Sequence, residues 1–129
     1  MNAIGKVIYN ILINDSAIAA ATKGRIFPNV VEQGVAKGTY IVYYIQQHDT
    51  IRCQGQTSYS GTVCVYVGAS TYKQMVAVLD LVNQKLDKYS GTVAGQQVTT
   101  IMNLGGEGDD YDADERINGR ELHYKVIIN

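Results

Sequence analysis

Thr39-Tyr40-Ile41-Val42-Tyr43-Tyr44-Ile45 is an unbroken run of β-branched and aromatic residues with no glycine or proline in it. Such side chains suit a pleated surface, so residues 39–45 are expected to form a strand. Alternation sends Tyr40, Val42 and Tyr44 to one face and Ile41, Tyr43 and Ile45 to the other, and both sets are apolar. A strand of that kind is either central, with both faces covered, or turns one face to another chain.

Downstream, the polar stretch from His48 to Ser58 is expected to be a long hairpin loop. Tyr59 to Val67 then alternates Val63, Val65 and Val67 against Thr62, Cys64 and Tyr66, giving a second strand. Gly68-Ala69-Ser70 closes it, with Ser70 as the expected N-cap of a helix. Tyr72, Met75, Val76, Leu79, Val82 and Leu86 recur at helical spacing and mark the buried stripe of that helix. Ser90-Gly91 and Gly95 interrupt the chain. Gln96 to Leu104 alternates Val98, Thr100, Met102 and Leu104, and Arg120 to Ile128 alternates Leu122, Tyr124, Val126 and Ile128 against His123 and Lys125. Both segments read as strands.

Upstream, Ile4, Val7, Ile8, Ile11 and Leu12 line one face of a leading helix. Asn14-Asp15-Ser16 interrupts it, Ala17 to Ala21 adds a short helical piece, and Gly24 ends the region. Arg25-Ile26-Phe27-Pro28 reads as extended, because a residue before proline is pushed out of the α region. Residues 31–38 read as a surface loop. The order α-β-β-β-α-β-β predicts an α+β fold: a largely antiparallel sheet of about four main strands with two helices packed on it, in a single domain over 1–129.

The 129 residues are 46% hydrophobic and 18% charged, enough apolar surface for a core without disulfides or a structural metal. A formal charge of −1 argues against a dedicated nucleic-acid-binding module, which carries a basic excess. No apolar run approaches the length of a membrane span, and the first fifteen residues lack the pattern of a secretory signal. Ten tyrosines stand against one phenylalanine and no tryptophan, so most aromatic surface carries a hydroxyl and suits interfaces as well as cores. Cys53 and Cys64 match no zinc-ligand spacing and read as reduced thiols.

The residues 105–119 form a long acidic connection holding Glu107, Asp109, Asp110, Asp112, Asp114 and Glu115. Within it, Asp110, Asp112, Asp114, Asn118 and Glu121 occupy positions 1, 3, 5, 9 and 12 of a twelve-residue calcium loop. Position 6, where the turn demands glycine, is Glu115, and the flanks read as strands where that loop joins helices. A small cation- or ligand-binding module using residues 107–115 is thus an alternative reading of function. No catalytic or metal-ligating set is expected. His48 and His123 lie in no nucleophile context, Gly105-Gly106-Glu107-Gly108 lacks the lysine of a phosphate loop, and Cys53 beside Arg52 has no base partner. No cofactor is expected either.

The chain resembles the phage tail-completion, or tail-terminator, family of long-tailed phages and prophages. The resemblance is carried by the leading helix with Gly24-Arg25-Ile26-Phe27-Pro28, by Gly38-Thr39-Tyr40-Ile41-Val42-Tyr43, by the Tyr72 helix ending near Leu86-Asp87 with Gly91 after it, and by Asp109-Asp110-Tyr111-Asp112-Ala113-Asp114 before the final strand. Thr39 departs from the proline many relatives carry there, and the acidic loop is longer and more charged than is typical. The resemblance implies a small structural subunit, not an enzyme, that assembles as a hexameric ring. Such a ring would cap the tail tube, end its polymerisation and join tail to head connector, with DNA passing through the lumen without specific binding. Its place would be the tail or neck of a virion, assembled in the bacterial cytoplasm. Tyr40, Val42, Tyr44 and Tyr66 are the expected subunit interface, and Glu107, Asp109, Asp110, Asp112, Asp114 and Glu115 the expected assembly or lumen loop.

Overall fold

In the computed structural model, which describes residues 3–29, 38–53 and 56–129 (the backbone alone for 48–53, 56 and 57), the leading apolar stripe forms helix α1 (Ala3–Asn14). Ile4, Val7, Ile8, Ile11 and Leu12 are buried on one side of it. Asp15 then opens helix α2 (Ser16–Thr22), its carboxylate accepting from the Ile18 N–H at 3.0 Å. That is the short polar acceptor a helix start requires. The chain leaves α2 through Lys23 and Gly24, both with positive φ, and enters strand β1 (Ile26–Pro28).

Strands β2 (Tyr40–Cys53) and β3 (Gln56–Ala69) form a long antiparallel pair, and β1 joins the free edge of β2 in parallel. The expected loop over 48–58 is therefore corrected: the ladder continues through Arg52↔Thr57 to Cys53↔Gln56. Polar composition reports which strand surface meets water; the backbone pairs regardless of it. The loop expected over 31–38 lies, apart from Gly38, outside the described residues.

Helix α3 (Tyr72–Leu86) begins one residue later than a Ser70 cap implies, with Thr71 accepting from the Gln74 N–H. Its buried stripe is Met75, Val78, Leu79, Val82 and Leu86. Tyr72, at the first position, is 50% exposed and does not belong to the stripe. Strands β4 (Gly91–Val93) and β5 (Gln96–Gly106) follow, joined by the two-residue turn Ala94-Gly95 with φ positive at both positions, as a tight hairpin demands. The short β6 (Asp110–Asp112) and the long β7 (Ile117–Ile128) complete the chain.

The fold is α+β, but among the described residues it has three helices and one curled seven-stranded sheet instead of two helices and about four strands. Strand order is β1-β2-β3-β7-β5-β4, with β6 pairing the start of β7. The short strand expected over Arg25–Pro28 is β1; the strands beyond the expected order, β4 and β6, are three residues each, too short to show a period. The alternation expected for β5 fails after Val98. Register shifts between Val98 and Thr100 and between Asn103 and Gly105 insert extra residues. Each bulge changes which residues face the helices. Ile101 is buried there, while Met102 and Leu104 are exposed.

The helices lie on one face of the sheet. The main core sits between them and Ile41, Tyr43, Val63, Val65, Val67, Ile101, Tyr124 and Val126. Full burial of each such side chain contributes about 1.5–3 kcal/mol. Gly61 lets α1 close down on this face: a Cβ there would stand 2.6 Å from the Gln47 carbonyl oxygen and 2.8 Å from Ile4 Cδ1.

Candidate functional site

The face of the sheet turned away from the helices collects the residues the sequence singles out. Because Val42 stands opposite Tyr66, and Tyr44 opposite Cys64, the expected interface residues Tyr40, Val42, Tyr44 and Tyr66 share this face. On β7, Ile117, Gly119, Glu121 and His123 extend the row. Tyr40 and Val42 are only 7% and 8% exposed, because Ile117, Phe27 and Tyr66 pack over them. The second apolar face of β2 is thus partly covered by the chain itself. Tyr44 and Tyr66 remain half-buried.

A paired glycine notch holds these aromatics down. Gly68 faces Gly119 across β3 and β7. A Cβ at Gly68 would overlap the Tyr40 ring, and one at Gly119 the Tyr66 hydroxyl. The two rings lie 6.3 Å apart at 40°, the tilted arrangement aromatic pairs favour. Burial, and then the nearby Asp110 and Asp112 charges among other contributions, push both phenols above their ordinary range, so both keep their protons.

The acidic segment folds as a hairpin of β6 and the start of β7 beside this patch. All six carboxylates, Glu107, Asp109, Asp110, Asp112, Asp114 and Glu115, are exposed, but they do different things. Asp112 makes the turn: its Oδ1 accepts the N–H groups of Asp114 at 3.0 Å and Glu115 at 3.2 Å, while Arg116 takes a left-handed φ of 55°. Asp110 accepts from the Tyr66 hydroxyl at 3.5 Å, a long bond. Asp109 is clamped: Arg120 Nε donates to it at 2.6 Å and the Tyr72 hydroxyl at 3.0 Å, and Arg120 in turn donates to Tyr72 at 3.1 Å. Between hairpin and patch lies an open groove of 510 Å³ lined by Tyr40, Tyr66, Tyr111, Asp112 and Glu115 among others.

The calcium-loop spacing does not produce a calcium site. Pairing keeps Asp110, Asp112 and Glu121 on one face and sends Asn118 to the other, and among the described residues no three of the carboxylates bring oxygens within 4.8 Å of one another. Asp112 is occupied by the turn, Asn118 donates to the Ser70 carbonyl, and Glu121 turns to Tyr44 and His123. Calcium takes six to eight oxygens, and within 107–115 the side chains of Asp109, Asp110 and Asp112 are turned to other partners instead.

The Arg120 hydrogen bond, aided by Tyr72, holds the Asp109 carboxyl below its usual range. A depressed folded-state value means the clamp's contribution is present above the ordinary aspartate pKa of about 3.9 and is lost as pH falls through the lower folded value. Carboxyl NMR titration is expected to find Asp109 ionising below that ordinary value, with the shift abolished in Arg120→Gln. An ordinary titration in the unmodified protein would dismiss the clamp.

Two sets are not legible in the sequence: Arg120 with Tyr72 at Asp109, and Glu121 and His123 with Cys64 on the other strand phase. Strand parity was the available signal: Glu121 and His123 share a phase opposite to Leu122 and Tyr124, as Cys64 and Tyr66 do opposite to Val63 and Val65. The side chains of His48, Arg52 and Cys53 lie outside the described residues.

A family model described as "Tail completion protein gp17" matches residues 6–129. Among solved structures, a chain of the "Virion of native gene transfer agent (GTA) particle" superposes with a TM-score of 0.71 at 14% identity, covering 95% of this chain and 91% of that one. That likeness is one of fold. A second solved chain matches at a TM-score of 0.48 and 19% identity, covering 84% of this chain and 83% of that one. No curated protein matches the sequence.

Proposed function

Since the chain belongs to the phage tail completion protein gp17 family, we propose that it is the subunit of a hexameric ring that caps the tail tube, ends its polymerisation and joins the tail to the head connector. The family is one of structural phage tail proteins, not of enzymes, and among the described residues no helix is long and apolar enough to cross a membrane. The observation that carries the proposal is the family match over almost the whole chain. The fold shared with a chain of a gene transfer agent virion agrees with it.

The geometry supports a ring in two ways. Tyr44 and Tyr66 sit half-buried on the face free of helices, rigid aromatic surface of the kind interfaces use. A closed ring needs a head-to-tail interface, in which this patch meets a different surface of the neighbour. The acidic hairpin projects beside it and would line the lumen or meet a basic surface on tube or connector. Facing the lumen, its carboxylates would keep passing DNA from sticking.

Native mass spectrometry of the protein with isolated tail tubes is expected to show a closed assembly of roughly 85 kDa, the mass of six copies. Electron microscopy should place it at one tube end. A protein that stays at 14.1 kDa and leaves micromolar tube ends unbound would overturn the proposal.

A further inference from the structure

Cys64, Glu121 and His123 bring a sulfur, a carboxylate oxygen and an imidazole nitrogen within 4.8 Å of one another on the sheet face free of helices. Register produces this convergence. Cys64 stands opposite His123 across β3 and β7, and Glu121, two residues before His123, points to the same side.

Three details suit a metal ion. His123 Nε2 is buried and, among the described residues, has no hydrogen-bond partner; Glu121 Oε2 is 3.3 Å away, within ion-pair distance but out of line for a hydrogen bond. A buried nitrogen left in that state calls for a partner. The 3.3 Å separation also matches the ligand–ligand edge of a tetrahedron with bonds of about 2.0–2.1 Å. Second, the Tyr44 hydroxyl donates to Glu121 Oε1, which fixes the carboxylate and leaves Oε2 on the His123 side. Such outer contacts orient metal ligands. Third, β2 bulges at Gln46, and the Gln46 amide oxygen accepts from the Cys64 thiol at 3.4 Å. A second polar acceptor thus stands beside the sulfur.

We infer that Cys64, Glu121 and His123 form a three-ligand site for a zinc-type divalent ion, with a fourth position for water or the Gln46 amide oxygen. Thiolate with imidazole selects zinc over calcium or magnesium, which take oxygen donors. The thiol proton leaves to solvent on binding, and thiolate and carboxylate together cancel the charge of the ion. The ion ties β3 to β7 on the side that no helix covers among the described residues. This inference is independent of the ring.

The test uses the reduced, chelator-treated full-length protein titrated with Co²⁺. A thiolate-to-cobalt charge-transfer band is expected, saturating at about one ion per chain and displaced by Zn²⁺. Cys64→Ser should abolish the band, Cys53→Ser should keep it, and His123→Gln should weaken Zn²⁺ binding by about 100-fold. Zn²⁺ should raise the melting temperature of the unmodified protein and leave that of His123→Gln unmoved. Absence of the band, its persistence in Cys64→Ser, or equal zinc affinity in His123→Gln would overturn the site. Should Cys64→Ser fail to fold, the His123→Gln comparison decides alone.

Discussion

Replacing Tyr124 with alanine is expected to cost about 3–5 kcal/mol of folding stability, the range for truncating a fully buried aromatic. Tyr124 has no exposed surface and ranks among the largest fully buried side chains. It also ties three elements together. Its hydroxyl donates to Asn83 Oδ1 on α3 at 3.0 Å, and Asn103 Nδ2 on β5 donates to the same oxygen at 2.7 Å. Burial pushes the phenol above its ordinary range, so it remains a donor at any ordinary pH. Tyr124→Phe keeps the ring and leaves Asn83 with its Asn103 donor, so its cost should be about 1 kcal/mol. Urea unfolding with an unchanged slope measures both. An alanine variant that loses less than about 2 kcal/mol would mean that the site collapses around the gap.

Legibility followed periodicity. The stripe ending at Leu86 marks helix α3, which starts within one residue of where the Ser70 cap implies, because a fifteen-residue amphipathic stripe leaves little ambiguity. Tyr72 was misassigned because the period alone cannot say where the stripe meets its sheet. The inward sets of β3 and β7 were equally plain, since Val63, Val65, Val67, Tyr124, Val126 and Ile128 alternate without a break. Strand β5 misled because a bulge changes parity without leaving a mark in composition. The long β2–β3 pairing was hidden by polar residues. The Asp109–Arg120–Tyr72 clamp and the Cys64–Glu121–His123 cluster join residues up to 59 positions apart in sequence, and only the fold brings them together.

The acidic hairpin gives the last expected result, a separation of stability from assembly. Six carboxylates fall within the nine residues from Glu107 to Glu115, and all are exposed, so they repel one another without supporting a core. Two of them hold structure: Asp112 makes the turn and Asp109 is bound by Arg120 and Tyr72. Ile117, just beyond the turn, packs with Tyr40 and Val42, so cutting the hairpin out would disturb the patch as well as the charge. The informative variant therefore neutralises only the remaining four, as Glu107→Gln, Asp110→Asn, Asp114→Asn and Glu115→Gln. Stability should stay within about 0.5 kcal/mol, as for surface substitutions that bury nothing. If the hairpin meets a basic surface on the tube or connector, head–tail joining in a complementation assay should fall about tenfold or more, because charge complementarity governs encounter. The loss should deepen as salt is lowered, where the unmodified protein gains most from its charge. Full complementation by this variant would make the hairpin a solvated connection. A fall in stability to match the fall in joining would assign its charges to the fold and not to a partner.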